Sequence, residues 1–109
     1  MLFAVIHEHG PAWDGSRTMR EQDAWDEHAA FMDQLADEGF IVLGGPLGDE
    51  RGLMVDRALL IVEAASEEEV RTRLQADPWK PMKVLEIGSV EPWVILLGDP
   101  RRLAPATAD

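Results

Sequence analysis

The stretch TMREQDAWDEHAAFMDQLADEGFIVLGGP, Thr18 to Pro46, decides the fold. Ala24, Trp25, Ala29, Phe31, Met32, Leu35 and Ala36 recur at three- and four-residue steps, with His28 set among them. That is the spacing of one buried helix face. Asp23, Asp26, Glu27, Asp33, Gln34 and Asp37 fall on the opposite, solvated side. Thr18 and Glu21 have the spacing of a capping box, and Gly39 supplies a left-handed stop. The spacing therefore predicts one long helix from Thr18 to Gly39. A short apolar strand, Phe40–Leu43, follows, and Gly44-Gly45-Pro46 reads as the turn that leaves it.

Upstream, Leu2 to His7 is an apolar run whose two alternating sets are both apolar, so both faces of this strand should be covered. Glu8 to Arg17 carries Gly10-Pro11 and Asp14-Gly15 and reads as a loop, with Trp13 in it either folded down as a lid or packed at an interface, the second being the expectation. Downstream, Gly48 to Gly52 reads as a hairpin connection. A third strand starts at Leu53 or Val55 and runs to Glu63, again apolar on both faces over Ala58–Val62. Ser66 and Glu69 open a second helix with Val70 and Leu74 on its inner face. Pro78 biases Asp77 out of the helical region, so that helix ends near Ala76. Trp79-Lys80-Pro81 is a tight connector to a fourth strand, Val84–Val90, which Pro92 limits or places at an edge. Trp93–Leu97 extends that strand or forms a further short one.

The order is β-α-β-β-α-β, an α+β, ferredoxin-like arrangement over residues 1–97, with a tail over 98–109. Two helices cover only one face of a four-stranded sheet. The first and third strands are apolar on both faces, and the simplest cover for the second face is another copy of the chain. A homodimer is therefore expected.

The chain has 109 residues, the length of one domain with a single core. A net charge of −11, with Arg and Lys scattered, argues against nucleic acid, which demands a basic patch. Cysteine is absent, which excludes disulfides and thiolate metal sites. The opening apolar run is shorter than a signal peptide needs, and no run reaches membrane-spanning length. No membrane partner is expected, and the cytoplasm is the expected location.

His28 stands where the apolar stripe calls for Ala or Leu, as a core histidine with a partner or as a catalytic group. His7 and His9, two apart, would project from one face of the first strand. With His28 or Asp77 they could make a three-ligand site, but they have no third ligand at fixed spacing, and no metal is expected. Ser16, Ser66 and Ser89 lack the context of a catalytic nucleophile. Trp25, Trp79 and Trp93 read as core or interface, with Trp79 able to line a pocket beside Asp77. Gly44 and Gly45 either permit the turn or let a ligand approach the backbone.

His28, Gly44-Gly45-Pro46-Leu47 and Asp77-Pro78-Trp79, in this order within a β-α-β-β-α-β frame, resemble the YCII-related (YciI-like) proteins of the dimeric α/β-barrel superfamily. The resemblance covers roughly Met1 to Trp93; the family commonly has Phe where this chain has Trp79. It implies a ferredoxin-like protomer, a dimer with its sheets packed together, and an active site with a His–Asp pair. By matching position, that pair is His28 and Asp77, and the resemblance makes Gly44, Gly45 and Pro46 a pocket wall. An imidazole titrates near neutral pH, and a carboxylate on one ring nitrogen fixes its tautomer. The expected function is a small-molecule enzyme that transfers a proton in lyase- or isomerase-type chemistry without a cofactor. The alternative is a non-catalytic metabolite-binding or accessory module.

Overall fold

Alternation along strand β1 (Leu2–His9) sorts its side chains to two faces, with Phe3, Val5 and His7 buried on one of them. The computed structural model describes residues 1–48 and 57–99. After β1 come helix α1 (Trp25–Asp37), strands β2 (Ile41–Leu47) and β3 (Arg57–Glu63), helix α2 (Glu67–Leu74) and strand β4 (Leu85–Trp93). The strands form one antiparallel sheet in the order β2-β3-β1-β4, so β2 and β4 are its edges. This is the ferredoxin-like α+β arrangement.

Both helices lie on the face that carries Phe3 and Val5, α1 against β2 and α2 against β4. Phe3 pairs with Val62 and Val5 with Leu60 across the β1–β3 register, and Leu35, Phe40, Val70, Leu74 and Val90 complete the core. Val70 and Leu74 are fully buried; truncating Leu74 to Ala would cost about 2–5 kcal/mol. The Ser66 hydroxyl oxygen accepts the Glu69 N–H at 3.1 Å and caps α2. The Glu69 carboxylate reaches back to the Ala65 N–H at 2.7 Å, one residue before the expected partner.

The opposite face carries Ala4, Leu43, Gly45, Leu47, Leu59 and Ile61, and an apolar groove runs along it to Trp93. No helix of the described chain covers this face. Beyond it, Val94, Leu96 and Leu97 extend with 71%, 86% and 92% exposure.

Two expectations about Thr18–Pro46 are corrected. The helix does not begin at Thr18. Met19–Glu21 is a single 3₁₀ turn, and the chain leaves it at Gln22 before α1 starts at Trp25. The Glu21 carboxylate does accept the Thr18 N–H, at 2.8 Å, yet it closes only that turn. Tertiary partners take over the backbone. The buried Gln22 amide bonds Asp14 in both directions, at 2.8 and 3.0 Å, and the Trp79 indole N–H donates to the Asp23 carbonyl at 2.7 Å. Ala24 then adopts φ 60, ψ 28 as the residue before the helix. That left-handed conformation costs an alanine about 1–2 kcal/mol and marks the break as imposed from outside the segment.

The second correction concerns Gly44-Gly45-Pro46. These residues continue β2 and pair with Leu60, Leu59 and Ala58. Pro46 is tolerated because β2 is an edge strand, and a missing N–H on its outer side breaks no ladder bond. Pro92 sits within β4, the other edge. Gly39 takes φ 84 and stops α1 as expected. The expected hairpin over Gly48–Gly52 and the start of the third strand fall largely at 49–56, outside the described residues. So does most of the expected tail, 100–109. Strand β4 extends to Trp93, and no further strand follows over 94–97.

Candidate functional site

The turn after α2 builds one half of the site. Pro78 holds Asp77 out of the helix, and one Asp77 oxygen, Oδ1, accepts the Trp79 N–H at 2.9 Å. This bond from a side chain to the backbone two residues on fixes the carboxylate in place. The other oxygen, Oδ2, then points at α1, where His28 Nδ1 lies 2.8 Å away. Both side chains are buried, His28 at 7% exposure and Asp77 at 1%. Burial by itself would raise the Asp77 pKa. The His28 hydrogen bond, the charge of a protonated His28 and the Trp79 N–H outweigh it, and the carboxyl is held below its usual range. An ionised Asp77 is an acceptor only, so the His28 proton resides on Nδ1, and Nε2 is the nitrogen with a lone pair to offer.

Trp79 positions the imidazole from below. Its ring stacks on His28 at 3.8 Å between centroids and 8° between planes. Its indole N–H is anchored on Asp23 O, and Trp25 and Trp13 flank it at 5.8 and 6.1 Å. Trp13 in turn stacks on His9 at 3.8 Å and 9°. The loop that carries Trp13 is tied to the start of β4 by Gly10 N–H to Val84 O and Ala12 N–H to Lys83 O, both 2.9 Å. Trp13 therefore packs within its own protomer, against His9 and Trp79.

Between α1 and the sheet is a cavity of about 330 Å³. His28, Trp79, Gly44, Gly45 and Pro46 all border it, so the proposed wall residues and the imidazole share one cavity. Asp77 stands behind His28 and does not itself line the cavity. A Cβ at Gly44 would come within 2.7 Å of Leu60 Cδ2, the far end of a flexible side chain that can shift, and both residues border the cavity.

Sequence reasoning missed Lys80. It is buried at 8% exposure, and its Nζ lies 3.0 Å from His7 Nε2 and 3.2 Å from Leu74 O. The only signal was its place in a short apolar connector between Trp79 and Pro81, where a lysine has little room to reach solvent. Burial pulls the Lys80 pKa down to about 8, with the Asp77 charge opposing the fall. Burial, then the Lys80 charge, pulls His7 down to about 3. At neutral pH the pair is therefore an ammonium donating to a neutral imidazole. His7 and His9 both border the cavity, as their spacing required. Because His7 Nε2 faces a cation, that nitrogen is not placed to ligate a metal. Among the described residues, no three His, Asp or Glu side chains converge on a position that could hold one.

The arrangement is a polar cluster set into a protomer of the kind that builds dimeric α/β barrels: an imidazole held by a buried carboxylate at the edge of an apolar cavity. The YCII-related domain model matches residues 1–94, and the chain belongs to that family. No curated protein matches the sequence significantly. Among solved structures it resembles 5-chloro-2-hydroxyhydroquinone dehydrochlorinase from Burkholderia phenoliruptrix AC1100, in complex with 2,5-dihydroxybenzoquinone. The two are 26% identical with a TM-score of 0.57, over 86% of this chain and 94% of that one. That neighbour is a small-molecule enzyme. Among the described residues, no helix is long and apolar enough to cross a membrane.

Proposed function

We propose that this protein is a small-molecule enzyme in which His28 is the general acid/base and Asp77 orients it. The observation that carries this reading is the 2.8 Å bond from His28 Nδ1 to Asp77 Oδ2, made by a ring that borders the cavity. Nε2 takes a proton from a ring hydroxyl or from the carbon beside a carbonyl, and the freed electron pair forms the new π bond. In an isomerisation the proton is returned at another atom. In an elimination the new π bond displaces the bond to the departing group, which leaves with that bond's own electron pair, as chloride would, while the proton stays on Nε2. The imidazolium that forms in either case is stabilised by the Asp77 carboxylate. The likeness to the dehydrochlorinase supports a hydroxylated six-membered ring as substrate, and the tryptophan-walled cavity suits a flat one. No cofactor is required for this chemistry.

The working form is a homodimer whose protomers cover each other's apolar groove, and its place is the cytoplasm. The groove of Leu43, Leu47, Leu59, Ile61 and Trp93 supports the dimer.

Chloride release from 5-chloro-2-hydroxyhydroquinone tests the reading. His28→Ala should reduce turnover by roughly 10²–10⁴-fold, the usual range for losing a positioned acid/base. Asp77→Asn should reduce it through the wrong tautomer while leaving binding largely intact. Wild-type turnover in His28→Ala would sink the assignment. Binding of 2,5-dihydroxybenzoquinone without turnover by wild type would favour the non-catalytic module.

A further inference from the structure

Lys80 and His7 are a second pair of buried titratable groups, and the proton transfer assigned to His28 and Asp77 does not use them. Burying an ammonium is costly unless the site needs it. Here it is spent on a histidine. Lys80 Nζ donates to His7 Nε2 at 3.0 Å and to Leu74 O at 3.2 Å. His7 borders the cavity and Lys80 does not, so the imidazole stands between the cation and whatever the cavity holds. With Nε2 accepting, the neutral ring must carry its proton on Nδ1. A donor polarised from behind by an ammonium is stronger than an ordinary imidazole N–H.

The charge balance points the same way. Asp77 and Lys80 offset each other, and His7 is neutral. When His28 accepts a proton from a ligand hydroxyl, the cluster gains one positive charge, and the ligand oxygen gains the matching negative charge. That oxyanion needs a donor that is fixed before the reaction.

We propose that His7 is a substrate-contacting residue whose Nδ1–H donates to the anionic oxygen of a hydroxyquinone- or enol-type ligand, and that Lys80 is the positioning residue that fixes its tautomer. The inference rests on the enzyme reading above and narrows its substrate to compounds that ionise at an oxygen in the cavity. The low His7 pKa, about 3, fits this role, because the ring stays neutral across the working pH range.

The probe is 2,5-dihydroxybenzoquinone, a vinylogous acid whose ionisation changes its visible spectrum. Titrated into wild type, it should bind as its anion. The double variant His7→Phe with Lys80→Met removes both members together, so neither is left unpaired in the core. It should bind about 10–100-fold more weakly, the range for losing a hydrogen bond to a charged group. The bound probe should also ionise at higher pH than in wild type. Lys80→Met alone should shift both quantities the same way by a smaller factor. Independently of any ligand, ¹⁵N spectra of wild type should show His7 protonated on Nδ1, and Lys80→Met should redistribute that proton between the two nitrogens. An unchanged dissociation constant and unchanged bound-probe ionisation in the folded double variant, with binding still dependent on His28, would overturn the role of His7 and leave the enzyme reading standing. A wild-type His7 protonated on Nε2 would overturn it as well. No uptake of the probe by wild type would overturn both.

Discussion

Lowering the pH should destabilise this protein through His7, and the size of the effect follows from its burial. The folded state holds His7 neutral down to about pH 3, first because the ring is buried and next because Lys80 stands against it. In the unfolded chain the ring protonates near its ordinary value of 6.5. Between those two pH values the unfolded state binds the extra proton, so stability falls as pH falls, by about 1.4 kcal/mol per unit for one group. From pH 7.5 to pH 5, His7 alone should therefore remove about 2 kcal/mol. Against a typical stability of about 5–15 kcal/mol for a domain, that is a large share. His7→Gln is the matched control: it keeps an acceptor for Lys80 and cannot titrate. Urea unfolding of both proteins at half-unit steps from pH 7.5 to 5 isolates the difference. The wild-type curve should fall more steeply than the variant's by about 1 kcal/mol or more per unit below pH 6. Parallel curves within about 0.3 kcal/mol per unit would refute a buried neutral His7, since common carboxylate effects cancel in the comparison.

Lys80 acts with the same sign in a more alkaline window. Its folded pKa of about 8 lies below the unfolded 10.5, so the folded state releases the proton first and stability should rise by about 2 kcal/mol from pH 7 to 9.5. Chemical denaturation of Lys80→Met should lack that rise. Gly10→Ala should cost about 3 kcal/mol or more in urea unfolding, because the added Cβ would sit 2.1 Å from the Lys83 carbonyl oxygen and break the tie between loop and β4. Light scattering at micromolar concentration should give a dimer, and Leu59→Glu on the open face, where the side chain is only partly buried, should give a folded monomer; a wild-type monomer would remove the case for sheet-to-sheet packing.

Much of the fold was legible in one dimension because local patterns carry it. Alternation in Leu2–His7 and Ala58–Val62, the stop at Gly39, the Ser66 cap and the break before Pro78 depend on neighbours a few residues away. Together they determine the order of elements and the identity of most core positions. His28 and Asp77 were legible for a different reason: a histidine out of place in an apolar stripe and an aspartate freed from its helix by proline are local anomalies. Their 2.8 Å approach is not local, since 49 residues separate them.

What only the tertiary structure decided has one physical cause, the use of backbone and side-chain polar groups by distant partners. Trp79 claims the Asp23 carbonyl, and Gln22 claims Asp14, so the helix predicted from Thr18 cannot start before Trp25. Glycine and proline at 44–46 read as a turn, yet an edge position beside Leu60, Leu59 and Ala58 makes them strand. Lys80 carried no pattern at all. Its burial against His7, 73 residues earlier, exists only once β1 and the turn after α2 are brought together, because periodicity records which side chains leave water but not which charges follow them inside.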